Sequence, residues 1–111
     1  MKIIKKILLA MILIIGLNPL YAGSGHSHAA SAVSEVTIKT IAKNEINRLA
    51  NANKIDKSWL NNGIDIIQRY NNNQEWRIVF KNNKITDITK QTLYVFVSND
   101  GKLAAVNYTG K

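Results

Sequence analysis

The chain has 111 residues, no cysteine, and 15 lysines and arginines against 7 acidic residues, which gives a formal net charge of +8 at pH 7. The lack of cysteine excludes disulfides, thiol catalysis, thiolate metal sites and lipid attachment through a cysteine. The lysines are spread without a run of about five or six, which argues against nucleic-acid binding and favours a solvated basic surface with weak attraction to an anionic membrane or polyanion.

The N-terminal segment predicts an export signal. A lysine-rich start precedes an uninterrupted apolar run over residues 7–17, too short to span a hydrocarbon core of about 30 Å. Pro19 then breaks the helix, and Ala22 supplies a small residue at the expected cleavage point. We therefore expect a signal peptide over residues 1–22, no stable membrane anchor, and a periplasmic or secreted protein.

Residues 23–34 are small and polar, which predicts a flexible tail because they bury too little apolar surface to offset the entropy of ordering. Both histidines of the chain, His26 and His28, lie in this tail. Side chains two residues apart in an extended segment point to the same side, so the two imidazoles could bind one ion. The α-amine exposed by cleavage would add a third nitrogen, a set that favours Cu(II) or Ni(II) over Zn(II). The alternative is an unselected spacer with two solvated histidines.

A helix is predicted over residues 35–51, with Ser34 as its N-cap. Its apolar residues recur at spacings of three and four, which defines one core-facing stripe of Ile38, Ile41, Ala42, Ile46 and Leu49. Asp56 then starts a short capped turn that directs Trp59 toward the interior.

Beyond residue 63 the apolar period changes to two, which predicts strands. A first hairpin joins residues 64–70 through an asparagine-rich turn to a strand that carries Trp76, Ile78 and Phe80 on one side. A second hairpin joins residues 91–98 to residues 103–109 through Asp100-Gly101, a pair that tolerates the positive φ angles of a type I′ turn.

The expected fold class is therefore α+β, with one amphipathic helix packed on a four-stranded antiparallel meander sheet in a single domain over residues 35–111. One face of the sheet packs on the helix. The other face is expected to present Tyr94, Phe96 and Tyr108, together with Val79 and Val106, to water unless something covers it. A partner protein, a peptide or a second copy of the chain is the natural cover. The alternative is a twisted sheet that shows aromatic side chains to solvent or to the tail.

Several local motifs carry a family resemblance. They are Gly25-His26-Ser27-His28, Trp59, the strand from Lys90 to Ser98 (KQTLYVFVS), Asp100-Gly101 and the ending from Ala104 to Lys111. With these motifs the chain resembles a family of small exported bacterial proteins of unknown function. Its order of helix and strands is also similar to PepSY-type domains, extracytoplasmic modules linked to peptidase regulation, and this second resemblance implies binding or inhibition. Neither resemblance supplies catalytic residues.

The residue pattern does not favour an enzyme. Both histidines fall outside the predicted core, and the seven acidic residues are scattered over caps, strand edges and turns. We therefore expect an exported non-enzymatic binding module for an unknown protein or peptide, without nucleic acid as a partner. Two alternatives stay open: a small periplasmic metal-handling protein with His26 and His28 as ligands for Cu, Ni or Zn, and a structural envelope protein.

Overall fold

The computed structural model describes residues 31–111. The predicted signal peptide over residues 1–22 and both histidines, His26 and His28, lie outside the described residues. Within the described part, no helix has the length and apolar character that crossing a bilayer requires. In the same part, no group of three or more His, Asp or Glu side chains is placed to hold a metal ion.

One α-helix packs against a four-stranded antiparallel sheet, which confirms the predicted fold class. The helix α1 spans Glu35–Asn51. The strands pair in the order β1-β2-β3-β4, and their bounds are Ile66–Tyr70, Glu75–Lys81, Thr92–Ser98 and Leu103–Asn107. Two short 3₁₀ turns, Lys57–Trp59 and Ile88–Lys90, follow α1 and β2.

The helix begins and ends as its sequence predicts. The Ser34 hydroxyl oxygen accepts a hydrogen bond from the Thr37 N–H at 3.2 Å, a cap that contributes about 1 kcal/mol. Glu35 in the first turn and Arg48 in the last turn carry the charges that the helix dipole favours at each end.

Ahead of the cap, the Val33 N–H donates to the Asn99 carbonyl at 2.9 Å and the Val33 side chain packs on the core. The folded part thus includes the last residues of the predicted tail.

The core lies between α1 and one face of the sheet. Ile78, Val95 and Val106 are paired across three neighbouring strands, and each is fully buried. Each such side chain contributes about 1.5–3 kcal/mol by leaving water. Trp59, which the capped turn was expected to direct inward, is 1% exposed. The remaining members of the cluster come from the helix, its following loop and β2 and β3: Ile38, Ala42, Ile46, Leu49, Ala50, Ile55, Phe80, Leu93 and Val97.

The turns of the two hairpins use residues that tolerate a left-handed backbone. Asn71, Asn72 and Asn73 all have positive φ, as expected of asparagines in a turn. In the second hairpin only Gly101 has positive φ, at 90°, and its N–H donates to the Ser98 carbonyl at 2.9 Å. The predicted type I′ turn, which needs positive φ at both central residues, is therefore wrong. This geometry fits a three-residue loop that ends on a left-handed glycine.

A bulge beside Phe96 decides which side of β4 faces the helix. The register between β3 and β4 shifts there, so that Leu103 and Val106, three positions apart, both lie on the helix side. Strict alternation assigns Val106 and Tyr108 to the outer face, and that assignment is wrong. Val106 is in the core and Tyr108 packs against it, because the bulge adds one residue to β4.

The outer face of the sheet is covered by the chain itself. Phe96 is only 3% exposed, and its ring centroid lies 5.1 Å from that of Tyr70. The Arg77 guanidinium carbon lies 4.8 Å from the Tyr70 centroid and 5.9 Å from the Tyr94 centroid. Arg77 also donates a hydrogen bond to the Gly110 carbonyl at 2.9 Å. Two tyrosines, one arginine and the segment after β4 therefore shield the apolar centre of this face.

Gly110 is expected to be required for this closure. Its φ is +81°, and a Cβ atom there would lie 2.9 Å from Cε2 of Tyr94. We expect Gly110→Ala to lower the free energy of unfolding by about 1–2 kcal/mol, because a non-glycine residue in this region costs about that much. Urea denaturation measures the change. Gly63, where a new Cβ meets nothing within 4 Å, is the matched control, and Gly63→Ala should be neutral or stabilising by up to about 1 kcal/mol. Equal destabilisation by both substitutions would contradict the closure.

Candidate functional site

The residues predicted to form a partner face do not share one face of the described domain. His26 and His28 lie outside the described part of the chain. Tyr94 and Phe96 share the outer sheet face, where Tyr94 is half-buried and Phe96 is buried. Tyr108 is on the helix side, where it helps to line a cleft. The predicted partner face is thus split, and its most apolar member is already covered.

That cleft has a volume of about 590 Å³ and lies at the end of the domain where α1 ends. The volume falls within the range of about 300–1,000 Å³ that is typical of ligand sites. We call it the lysine cleft. It is formed by the loop after α1, the connection between β2 and β3, and the residue after β4: Asn53, Lys54, Ile55, Asp56, Lys57, Trp59, Lys84, Ile85, Thr86, Lys90 and Tyr108.

Backbone bonds fix the first wall of the lysine cleft. Asn53 adopts a φ of 60°, and the Lys54 N–H donates to the Leu49 carbonyl at 2.8 Å, which ends the helix. Asp56 then caps the 3₁₀ turn by accepting from the Ser58 N–H at 2.8 Å. Lys54 and Lys57 therefore extend from a loop whose backbone is held at both ends.

The second wall is tied to the first by a buried amide. Asn82 is 5% exposed; its Nδ2 donates to Ser58 Oγ at 2.8 Å, and its Oδ1 accepts from the Lys84 N–H at 3.0 Å. Farther along, Asp87 caps the second 3₁₀ turn by accepting from the Thr89 N–H at 3.0 Å. The bond from Asn82 to Ser58 ties this stretch to the loop after α1, while the other two bonds fix the local backbone next to Lys84 and Lys90.

The lysine cleft is strongly basic. Its lining holds four lysines, at positions 54, 57, 84 and 90, but only one carboxylate, Asp56. The hydrogen bond from the Ser58 N–H lowers the pKa of Asp56, so this carboxylate stays charged and tied to its cap. None of the four lysines forms a salt bridge with a described carboxylate. The salt bridges among residues 31–111 involve other cations: Lys39–Glu35, Arg48–Glu45, Lys81–Asp65 and Lys102–Asp100. Cations gathered in a concavity raise the local concentration of anions.

The lining of the lysine cleft includes two apolar side chains and one hydroxyl. Trp59 and Ile55 are only 1% and 7% exposed, so they offer little surface to a ligand. Burial, together with the negative charge of Asp87, raises the pKa of Tyr108. Its hydroxyl therefore stays protonated at neutral pH and offers a hydrogen-bond donor. Cations and a hydrogen-bond donor are suited to holding an anionic ligand.

Sequence reasoning missed this site because its lysines come from two loops about thirty residues apart along the chain. Periodicity locates helices and strands, but it does not show which loops meet. A signal was nevertheless present. Asp56-Lys57-Ser58 and Asp87-Ile88-Thr89 share one pattern, an aspartate that caps a short turn through the residue two positions on. Lysines lie within or directly after both turns.

A family model described as "Family of unknown function (DUF6488)" matches residues 1–111, and the chain belongs to this family. This finding confirms the expected membership of a family without an assigned function. No match was found among curated proteins or among solved structures.

The raised pKa of Tyr108 predicts a loss of stability at alkaline pH. In the unfolded chain Tyr108 ionises near its ordinary value of 10.0, whereas in the folded protein it ionises at higher pH. The stability that Tyr108 contributes as a neutral, buried hydroxyl is therefore complete below pH 10 and is lost as the pH rises through the folded-state pKa. Thermal unfolding of the wild type and of Tyr108→Phe between neutral pH and pH 11 measures this loss of stability. The variant should lose less stability above pH 10, and identical pH profiles would contradict the burial of this hydroxyl.

Proposed function

We propose that the protein is an exported, non-enzymatic binding module that holds its partner in the lysine cleft. The observation that carries this proposal is the set of four lysines around one concavity, none of which forms a salt bridge with a described carboxylate. Like charges held close together oppose folding. An anionic partner removes that repulsion when it binds, which supports a binding role for the cluster.

Export is proposed from the pattern of residues 1–22, which places the domain in the periplasm or outside the cell. The likeness to PepSY-type domains is proposed on the order of one helix and then strands. It supports a binding or inhibitory role, since that is what such domains are linked to. The partner of this module would be a protein or peptide that is not yet identified.

The chemistry of the cleft favours binding over catalysis. A general acid or base needs a pKa near the working pH. Tyr108 is moved away from that range by burial, and Asp56 is held charged by its capping bond. Both side chains are thus suited to fixed roles, as a donor and as a cap. The outer sheet face is less favoured as the docking surface, because Arg77 and Tyr70 already cover Phe96.

The proposal predicts that a simple multivalent anion binds the mature exported protein at the lysine cleft. Inorganic tripolyphosphate should shift the amide NMR signals of residues 54–57 and 84–90. Lys57→Gln/Lys84→Gln should weaken this binding about five- to thirty-fold, because each exposed ion pair contributes about 0.5–1 kcal/mol. An NMR titration at low salt measures both effects.

The matched control removes the same charge elsewhere. Lys43 and Lys111 are exposed, line no part of the cleft, and form no salt bridge with a described carboxylate. Lys43→Gln/Lys111→Gln should leave the affinity within about twofold of the wild type, apart from the general effect of net charge. If both double variants lose affinity equally, the cleft is not the binding site.

We also propose metal handling as a second candidate function, on the spacing of His26 and His28 alone. Two imidazoles that project to one side of an extended segment, with the α-amine exposed by export, form a nitrogen-rich set that suits Cu(II) or Ni(II) better than Zn(II). In that case His26 and His28 would perform the function, and the folded domain would serve as their carrier.

This second candidate predicts a loss of metal binding in His26→Ala/His28→Ala. Calorimetric titration of Cu(II) and Ni(II) into the mature protein should give a binding isotherm that the double variant loses, because the remaining α-amine and amides bind more weakly without imidazole. Intact mass spectrometry of the same samples reports the cleavage site and the bound ion together. Equal weak binding by both proteins would remove metal handling as a function.

A further inference from the structure

A second cleft adjoins the lysine cleft and shares Lys84 with it. Its volume is about 500 Å³, and it lies where β2 ends and β3 begins. Four of its eight lining residues are carboxamides, Asn62, Asn82, Asn83 and Gln91, and we call it the amide cleft. Its lining also holds Lys81, which pairs with Asp65, and Lys84. We call the two adjoining clefts together the recess.

Two of the carboxamides of the amide cleft are oriented by hydrogen bonds that they donate to backbone carbonyls. Asn62 Nδ2 donates to the Lys81 carbonyl at 3.0 Å, and Gln91 Nε2 donates to the Ile85 carbonyl at 2.7 Å. A carbonyl oxygen only accepts, so the nitrogen of each side chain must be the atom that faces it. Asn62 and Gln91 each keep the side-chain oxygen as an acceptor and the second N–H of the amide as a donor. None of these atoms is buried without a partner, so solvent or a ligand can reach them.

These amide groups favour one class of anion. The phosphodiester of a lipid headgroup presents only acceptor oxygens, and tripolyphosphate presents mainly acceptors, so these anions can use the amide N–H groups but gain little from the amide oxygens. A peptide backbone presents both N–H and C=O groups, which can use the donor and the acceptor of each amide, while acidic side chains of the same peptide reach the lysines. The recess therefore matches an extended chain whose acidic side chains lie in the lysine cleft while its backbone crosses the amide cleft.

The shape of the recess also disfavours a membrane surface. The large apolar groups of the lysine cleft, Trp59 and Ile55, are recessed at 1% and 7% exposure, whereas a bilayer is entered by apolar groups that stand out. Ile88 does stand out, at 76% exposure, on the short turn that follows Asp87. A single isoleucine contributes little to membrane insertion, but beside the lysines it offers a contact for an apolar residue of a peptide.

We propose that the joined lysine and amide clefts bind an acidic, extended peptide segment of another protein. This inference rests on the proposed binding function and names the chemical class of the partner. The lysines select the acidic side chains. Asn62 and Gln91 accept hydrogen bonds from the peptide backbone. Where the peptide crosses the amide cleft, recognition therefore depends little on its side chains.

The test uses the mature exported protein and a fluorescently labelled peptide of about ten residues that alternates glutamate and alanine, about 33 Å long when extended. Fluorescence anisotropy should give binding at least about tenfold tighter than for the peptide with glutamine in place of glutamate, because the lysines gain charged partners. Lys57→Gln/Lys84→Gln should weaken the glutamate peptide about five- to thirty-fold.

Asn62→Ala separates a peptide from other anions. It should weaken the glutamate peptide about two- to tenfold, the range expected for one net hydrogen bond, and leave tripolyphosphate affinity unchanged. Asn44, which is exposed on α1 and lines neither cleft, is the control, and Asn44→Ala should change neither affinity. Unchanged tripolyphosphate binding also shows that Asn62→Ala leaves the recess folded.

Two outcomes would overturn the inference in different ways. If tripolyphosphate or vesicles rich in anionic phospholipid bind through Lys57 and Lys84 while the glutamate peptide does not, the peptide inference is wrong and the proposed binding function stands. If no probe binds, or if Lys43→Gln/Lys111→Gln weakens every probe as much as Lys57→Gln/Lys84→Gln does, both are wrong.

Discussion

The fold depends on covering both faces of β3, one of the two inner strands of the sheet. Val95 faces the helix and Phe96 faces the opposite side, and both are buried. One amphipathic helix can cover only one face of a sheet, so the second face needs another source of cover. Arg77 supplies it by lying over Tyr70 and near Tyr94 while its guanidinium bonds the segment after β4. A cation over aromatic rings suits this position, because it is polar on its solvent side and attractive to the rings beneath.

The centres of both sheet faces are covered, and the lysine cleft lies at an end of the sheet. The loop after α1 and the connection between β2 and β3 meet at one end, where the buried Asn82 ties them together through Ser58. Four lysines line the cleft at this end, and the two aspartate-capped turns fix the backbone that carries Lys57 and Lys90. The anionic partner that we propose would offset the positive charge gathered there.

The sequence by itself determined the elements whose causes are local. The bounds of α1, its Ser34 cap, the inward turn at Trp59 and the class of the fold follow from periodicity and capping, which act over a few residues. Strict alternation then failed in the second hairpin, because a bulge beside Phe96 turned Val106 and Tyr108 toward the helix.

Only the tertiary structure decided what covers the outer face and where the lysines gather. Both depend on groups far apart in the chain, Arg77 with Gly110 and Lys57 with Lys84. The pairing register of the strands and the packing of α1 bring those groups together. Residues at such separations leave no periodic trace in the sequence, so their meeting is fixed by the geometry of the folded sheet.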